Sequence, residues 1–301
     1  MACMEVRGGS EAVDMSLMTP GLEIHVISRP YPMAGAGGDV HYVSSCGTGR
    51  ITRLLLADVA GHGDDVAQLA GKLRDLMRRY INHIDARTLT TEINQQFSGV
   101  STPGRFATAL IGTFYAPLRQ LTLVNAGHPP PVLFRAATRT WHGVEGTDFT
   151  QGASNLPLGV MDDTPYDQHH FELDAGDVLL AYTDSLSESK DANGELLTVP
   201  VLCPILPPIT PGQSLLSWAN DLTLRVKSMN ESNMADDDTT FVLCRAVGGK
   251  TQASVLRRIA AVGKFARLIA TRDQIPWPEL TVRNLAGDTV HNLVARLRRK
   301  K

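Results

Sequence analysis

The sequence predicts an α+β fold in which mostly antiparallel sheets pack against helices on the outside. The first observation is a set of about nine short strand-like runs, with only two or three helical patterns between groups of them. The second is that strands and helices do not alternate one for one, which argues against a doubly wound sheet. The third is a change in composition after Gly248-Gly249, where the chain becomes basic. We therefore expect one main domain followed by a basic helical appendage.

The strands are predicted by short apolar runs and by alternation of apolar and polar residues. Two consecutive runs flank Pro117-Leu118-Arg119 and indicate a hairpin. The predicted strands span residues 22–29, 40–44, 51–59, 106–115, 120–125, 132–135, 177–182 and 239–247.

Helices are predicted where apolar residues recur at helical spacing, over residues 64–80, 87–97 and 212–228. Residues 199–211 contain five prolines. Because proline lacks a backbone N–H and blocks the preceding turn, this stretch is predicted to form neither a regular helix nor a central strand.

The two ends of the chain differ from its body. Residues 1–20 lack the continuous apolar segment of a signal peptide and are predicted to be a flexible arm. Residues 21–248 are predicted to form the main domain, and residues 249–301 a basic helical C-terminal extension.

Charge is unevenly spread along the 301 residues. The formal net charge is −2, yet residues 251–301 carry +8 and the rest of the chain carries −10. An acidic body fits cation binding or a basic partner, and a basic tail fits an acidic partner, a membrane surface or nucleic acid. A solvated helix face with a charged terminus is the simpler explanation of the tail, so nucleic-acid binding is not our expectation.

The four cysteines lie far apart in the sequence, at Cys3, Cys46, Cys203 and Cys244. This spacing argues against a structural zinc site and against a disulfide framework, so we expect a reducing compartment, the cytoplasm. No run of 18 apolar residues occurs, and no membrane span is expected.

Four acidic stretches share one design, an aspartate beside a turn at the end of a predicted strand. They are Asp39, Asp58, Asp184 and the triplet Asp236-Asp237-Asp238. Oxygen ligands of this kind suit Mg²⁺ or Mn²⁺, and two such ions can generate a hydroxide for phosphoryl displacement. Simpler alternatives are a turn-capping role for Asp58 and a zinc site on His62 and His128, although that site lacks a third well-spaced ligand.

Five motifs in order resemble the SpoIIE/RsbU-type branch of the metal-dependent (PPM, 2C-type) serine/threonine phosphatases. The resemblance covers roughly residues 22–247. The motifs are Gly37-Gly38-Asp39, Asp58-Val59-Ala60-Gly61-His62-Gly63, Asn125-Ala126-Gly127-His128-Pro129-Pro130, Gly176-Asp177 to Tyr182-Thr183-Asp184, and Asp237-Asp238-Thr239-Thr240.

The resemblance implies a four-layer α-β-β-α sandwich with two mostly antiparallel sheets and a centre of two Mn²⁺ or Mg²⁺ ions. A metal-bound water would attack phosphoserine or phosphothreonine, with Asp39 and Asp58 as the catalytic carboxylates. The implied metal ligands are Asp39, Asp58, the Val59 backbone carbonyl, Asp184 and Asp237. Weaker supporting candidates are His62, His128, Asp236 and Asp238, with Asp236 the alternative to Asp237 by one register.

The chain departs from the family pattern at three places. Ser185 follows Asp184 where the family usually has glycine, Tyr42 stands where a second acidic residue is common, and the proline-rich stretch at 199–211 replaces a Phe-Gly pair. These departures bear on substrate docking more than on the ligands.

Two functions from different classes follow. The first is a phosphatase acting on a phosphorylated regulator, such as an anti-sigma-factor antagonist. The second is an inactive phosphatase-fold protein that binds a phosphoprotein partner. In this branch the helix after Asp58 often acts as a switch, so regulation by a protein partner, by homodimerisation through residues 64–80 or by the basic tail is a hypothesis. Simple core packing is the alternative for this helix.

Overall fold

Two six-stranded sheets form the centre of the molecule, and each strand pairs antiparallel with its neighbours. The structure is a computed structural model and describes residues 3–31, 37–47, 49–61, 63–101, 104–144, 146–147 and 154–248. Helices lie outside both sheets, so the fold has the four α-β-β-α layers that the resemblance implies.

The first sheet has the strand order β1-β4-β5-β6-β7-β10. Its strands are β1 (Cys3–Gly9), β4 (Asp39–Cys46), β5 (Ile51–Val59), β6 (Ala107–Tyr115), β7 (Gln120–Ala126) and β10 (His169–Glu172). A 3₁₀ turn, Ala116–Leu118, closes the predicted hairpin between β6 and β7.

The second sheet has the order β2-β3-β12-β11-β8-β9. Its strands are β2 (Val13–Thr19), β3 (Leu22–Arg29), β8 (Val132–Arg135), β9 (Thr140–Gly143), β11 (Val178–Tyr182) and β12 (Thr239–Ala246).

The helices within the described ranges are α1 (Asp64–Tyr80), α2 (Ala86–Val100), α3 (Asp184–Ser187), α4 (Val199–Ile205) and α5 (Leu215–Met229). The apolar face of α1, which includes the fully buried Leu73, packs with α2 against the first sheet. Residues of α4 and α5 cover the second sheet around the buried Trp218. A third apolar cluster fills the space between the sheets.

Burial on both faces explains the continuous apolar run that predicts β5. Eight of its nine residues are buried because helices cover one side and the second sheet covers the other. A strand in that position reads as a continuous apolar run rather than as alternation. Both β5 and α1 have the bounds that the sequence predicts.

Two sequence predictions are wrong. Residues 1–20 are not a flexible arm throughout, because β1 and β2 are edge strands, one in each sheet. The proline-rich stretch does contain a helix, α4, which accommodates Pro200 in its first turn and Pro204 near its end. Backbone N–H groups in the first turn of a helix have no intrahelical acceptor, so a proline there removes no hydrogen bond.

The predicted basic helical extension lies outside the described residues, apart from its boundary near residue 248. No helix in the part of the chain described above is both long and apolar enough to cross a membrane.

Candidate metal centre

Asp39 and Asp58 lie directly opposite each other on neighbouring strands. The antiparallel register of β4 and β5 pairs them, and side chains on directly opposed residues have Cβ atoms roughly 5 Å apart. Asp39 begins β4, whereas Asp58 is the penultimate residue of β5. Two carboxylates so close together repel each other when both are ionised.

The absence of a side chain at Gly38 leaves oxygen atoms of Asp58 and Val59 uncovered. A Cβ added to Gly38 would lie 2.8 Å from the Val59 carbonyl oxygen and 3.3 Å from Oδ1 of Asp58. A side chain at position 38 would therefore cover both oxygens that the resemblance assigns to a metal. The same backbone is held in place by a hydrogen bond from the Val59 N–H to the Gly38 carbonyl, 3.2 Å long.

Four acidic residues distant in sequence act on Asp58. Burial and, in decreasing order, the charges of Asp184, Asp237, Asp238 and Glu188 together raise the pKa of Asp58 to about 7. Asp184 begins α3 just beyond the end of β11, and Asp237 lies just before β12. Because β11 and β12 are antiparallel neighbours, the end of one and the start of the other meet at one edge. The structure thus brings Asp58, Asp184 and Asp237 into one electrostatic cluster.

Asp184 shows the same behaviour. Burial raises its pKa, as does the charge of Glu188, while the backbone N–H of Ser185 opposes the rise. Glu188 lies one helical turn beyond Asp184, so the side chains share a face. Sequence reasoning missed Glu188, although an acidic residue four positions after the predicted ligand was a usable signal.

Asp39 is the most enclosed of the carboxylates, with 2% of its surface exposed. Burial raises its pKa well above the usual range, and the charge of Asp58 adds to the effect. The Thr183 hydroxyl donates a 2.9 Å hydrogen bond to Oδ2 of Asp39 and accepts one of 3.0 Å from the Thr240 N–H. Thr183 therefore joins the two sheets at the site, a role that sequence reasoning did not assign.

Asp238, whose charge also acts on Asp58 and Asp184, organises the backbone beside the cluster. Its carboxylate accepts hydrogen bonds from the N–H groups of Tyr31 at 2.7 Å, Gly38 at 2.6 Å and Asp39 at 3.4 Å. These bonds tie the start of β12 to the start of β4. A Cβ on Gly37 would overlap this carboxylate, which explains the glycine there.

The triplet register favours Asp237 over Asp236. Asp237 is among the main influences on the pKa of Asp58, and its Oδ1 accepts the Asp238 N–H at 2.8 Å. Asp236 is exposed, as Asp237 is, but it is not among those influences.

His128 lies in a buried structural turn. The Asn125 side chain accepts the His128 N–H at 2.7 Å and donates to its carbonyl at 2.8 Å, and the Thr108 hydroxyl contacts Nδ1 of His128 at 2.8 Å. Burial lowers the pKa of His128 to about 3. The ring is therefore neutral near pH 7, close to the Tyr182 backbone. His62, the other histidine candidate, lies outside the described residues.

The residues present fit divalent cations of the hard class. The donors are carboxylates and one backbone carbonyl, which Mg²⁺ and Mn²⁺ prefer, and Mg²⁺ usually keeps several waters while using one or two carboxylates. Burial and the repulsion between carboxylates raise the pKa of Asp39, Asp58 and Asp184, and a cation would relieve both effects. Within the described ranges, no three His, Cys, Asp or Glu side chains are arranged to hold one ion by themselves.

Comparison with known proteins identifies the class. The fold resembles solved PP2C-type phosphatase domains, and the family model described as "Stage II sporulation protein E (SpoIIE)" matches residues 48–246. The chain therefore belongs to the SpoIIE family, within the SpoIIE/RsbU branch of the PPM phosphatases that the five motifs indicate.

Two relatives from Bacillus subtilis are similar in sequence. The phosphoserine phosphatase RsbU is 24% identical over 176 residues, which is 58% of this chain and 49% of RsbU. The phosphoserine phosphatase RsbP is 24% identical over 140 residues, 45% of this chain and 33% of RsbP. The chain thus spans between a third and a half of the length of these relatives.

Solved structures agree on the fold. The RsbU and RsbW domains of Rv1364c from Mycobacterium tuberculosis align with a TM-score of 0.60 and 20% identity, covering 87% of this chain and 71% of that one. RsbX in complex with magnesium aligns with a TM-score of 0.57 and 18% identity, covering 77% and 99%.

Proposed function

We propose that this protein is a Mn²⁺- or Mg²⁺-dependent protein phosphatase that hydrolyses phosphoserine or phosphothreonine with two ions. The observation that carries the proposal is the position of Asp58, whose carboxylate is buried among acidic groups, so that burial and their charges together raise its pKa to about 7. A protein gains nothing in stability from carboxylates placed this way. A cation-dependent reaction gives them a purpose.

Each residue has a proposed part. Asp58 would lie between the two ions, and the Val59 carbonyl would hold one of them. Asp184 and Asp237 would hold the other, and Asp39, fixed by Thr183, would orient the water at the centre. Bound ions would supply Lewis acidity and a hydroxide nucleophile near neutral pH.

The names of the relatives support the substrate class. RsbU and RsbP are phosphoserine phosphatases, and we propose a small phosphorylated regulator, such as an anti-sigma-factor antagonist, as the substrate here. The described free cysteines, Cys46, Cys203 and Cys244, suit a reducing compartment such as the cytoplasm.

Any regulatory contact on α1 would use a part of the helix that is not packed in the core. The apolar face of α1 is already used against the first sheet. A regulatory partner or a second copy of the chain would therefore contact the polar face of α1, or the basic tail would serve instead. Leu73 lies on this apolar face and is fully buried. Leu73→Glu would therefore disrupt the core, and a loss of activity in that variant would not show that α1 acts as a switch.

Hydrolysis of a phosphoserine peptide and of p-nitrophenyl phosphate by the full chain tests the proposal. We expect turnover with Mn²⁺, loss with EDTA and recovery on adding Mn²⁺ back. Asp237→Asn should abolish turnover and Asp236→Asn should not, because only Asp237 belongs to the cluster around Asp58.

Tight metal binding without turnover of any phosphoprotein would contradict the enzymatic proposal. That result would favour the alternative, a phosphatase-fold protein that binds a phosphoprotein partner. Loss of turnover in Asp236→Asn instead of Asp237→Asn would shift the ligand register by one residue.

A further inference from the structure

One guanidinium lies directly on the turn that follows Asp58. The Nη1 group of Arg105 donates a 3.0 Å hydrogen bond to the carbonyl of Ala60. Its Cζ lies 3.6 Å from the position that a Cβ on Gly61 would occupy, and Val66 approaches the same position from α1 at 3.3 Å. Gly61 has a φ of +112°. The turn is therefore held between Arg105 and α1, with no room for a side chain at position 61.

The backbone around Arg105 is held on both sides. The Phe106 carbonyl accepts the Ala60 N–H at 3.0 Å, and Ala107 exchanges two backbone hydrogen bonds with Leu158, at 2.9 and 2.7 Å. Gly159, with a φ of +85°, fits against the Arg105 carbonyl, where a Cβ would come within 3.1 Å. This frame orients the Arg105 side chain toward the turn that carries Asp58 and Val59.

Unlike Arg135 and Arg245, Arg105 has no acidic partner among the described residues. Arg135 pairs with Asp177 at 2.8 Å and Arg245 pairs with Glu23 at 3.1 Å. Among the residues that the structure describes, Arg105 makes its one hydrogen bond to a carbonyl and has no carboxylate partner. Its side chain is half-buried. A guanidinium has five N–H donors, so most of them are available to a ligand.

The acidic cluster creates a need for such a cation. A phosphate monoester carries up to two negative charges and has to approach Asp58, Asp184 and Asp237. Guanidinium groups bind phosphate through paired, charge-assisted hydrogen bonds in a fixed geometry. Ala60 is two residues beyond Asp58, about 6–7 Å along an extended chain, which is a distance that a phosphoryl group and an arginine side chain can bridge.

We propose that Arg105 binds the phosphoryl oxygens of the substrate and offsets the negative field of the carboxylates as the phosphoester enters. The inference rests on the proposed phosphatase function, because it assigns a substrate-binding residue to that same site. Arg105 would stabilise bound phosphate through two donors while Nη1 keeps the Ala60 carbonyl.

The test uses the full chain loaded with Mn²⁺ and inorganic phosphate as the probe. Calorimetry measures phosphate affinity without turnover, and kinetics with p-nitrophenyl phosphate gives KM and kcat. For Arg105→Ala we expect phosphate affinity to fall about tenfold or more, as hydrogen bonds to charged groups predict, and KM to rise by a similar factor. Arg105→Lys should keep the charge and the protein's stability and show a smaller loss.

Arg87→Ala is the matched control, since Arg87 is an exposed residue on α2, and its phosphate affinity should equal that of the unchanged protein. Mn²⁺ affinity, measured separately, should be the same in all variants. If Arg105→Ala fails to fold, the comparison of Arg105→Lys with Arg87→Lys decides the question.

Unchanged phosphate affinity in the Arg105 variants would overturn the assignment. So would weaker Mn²⁺ binding that accounts for the whole effect, because Arg105 would then only position the turn. If the unchanged protein binds phosphate through Arg105 but turns over no substrate, the phosphatase proposal fails and the phosphate site stands.

Discussion

The two ends of strand β11 carry aspartates in opposite situations. Asp177 precedes the strand and has 1% of its surface exposed, and Asp184 follows it. Asp177 accepts hydrogen bonds from Nη1 of Arg135 at 2.8 Å, the Ala136 N–H at 2.9 Å and the Asp174 N–H at 3.0 Å. Asp184 instead lies near Glu188 and Asp238, and its pKa is raised.

The comparison separates structural from functional carboxylates. At the Asp177 end, the buried carboxylate accepts hydrogen bonds that replace its lost hydration. A buried ion is tolerated under this condition. At the Asp184 end, carboxylates from separate segments converge, and burial together with their charges raises the pKa of Asp58 and of Asp184. That arrangement costs stability and is typical of a site that waits for a ligand.

The largest effect should come from Asp58. Asp58→Asn should lower phosphatase activity by more than about a hundredfold, since loss of residues that merely support a metal ligand costs up to that factor. At pH 8, where the Asp58 carboxylate would otherwise be charged, the metal-free variant should be more stable than the unchanged protein by about 1 kcal/mol or more, because repulsion is removed. Turnover assays and urea unfolding measure the two effects, and a loss of stability would argue against a repulsive cluster.

Asp177 should behave in the opposite way. Asp177→Ala removes three accepted hydrogen bonds and should destabilise the fold by about 3 kcal/mol, a value reduced by the partial exposure of Arg135. Activity per folded molecule should not change. Asp174→Ala, at an exposed neighbour, is the control for urea unfolding. A variant that stays stable but loses activity would place Asp177 in the site.

His128 should make stability depend on pH. Its pKa is about 3 in the folded protein and about 6.5 when unfolded, so below pH 6.5 the unfolded state binds the extra proton. The free energy of unfolding should therefore fall as pH drops, by about 2 kcal/mol at pH 5.

Unfolding curves of His128→Gln and of the unchanged protein, compared between pH 7 and 4, isolate this contribution because the carboxylates are common to both. The exposed His142→Gln serves as control. If the free energy of unfolding depends on pH in the same way for His128→Gln and for the unchanged protein, then His128 has the same pKa in the folded and unfolded states, which would contradict the prediction.

Ser185 should have the smallest effect. Its hydroxyl donates a 3.1 Å hydrogen bond to the Thr239 hydroxyl, linking the Asp184 turn to β12. Ser185→Ala should cost about 1 kcal/mol or less and change kcat/KM by no more than about threefold, because the ligands stay in place. Thermal unfolding and steady-state kinetics measure these values. A loss of tenfold or more would show that this departure from the family pattern has become part of the site.

The sequence by itself determined the elements with strong periodicity. The continuous apolar run of β5 follows from burial on both faces, and the single apolar face of α1 follows from burial on one side, which repeats with the helical period. The order of the five motifs was also sufficient to indicate the family. The four edge strands, β1, β2, β9 and β10, were missed, and each of them pairs with only one neighbouring strand.

Only the tertiary structure decided how the site is assembled. Thr183 reaches Asp39 across 144 residues, and Asp238 reaches the backbone of Gly38 across 200. Glu188 joins the cluster only because α3 begins where β11 meets β12. Such contacts depend on which strands become neighbours, and no local pattern encodes that choice, because the free energy that selects it comes from packing two sheets and their helices together.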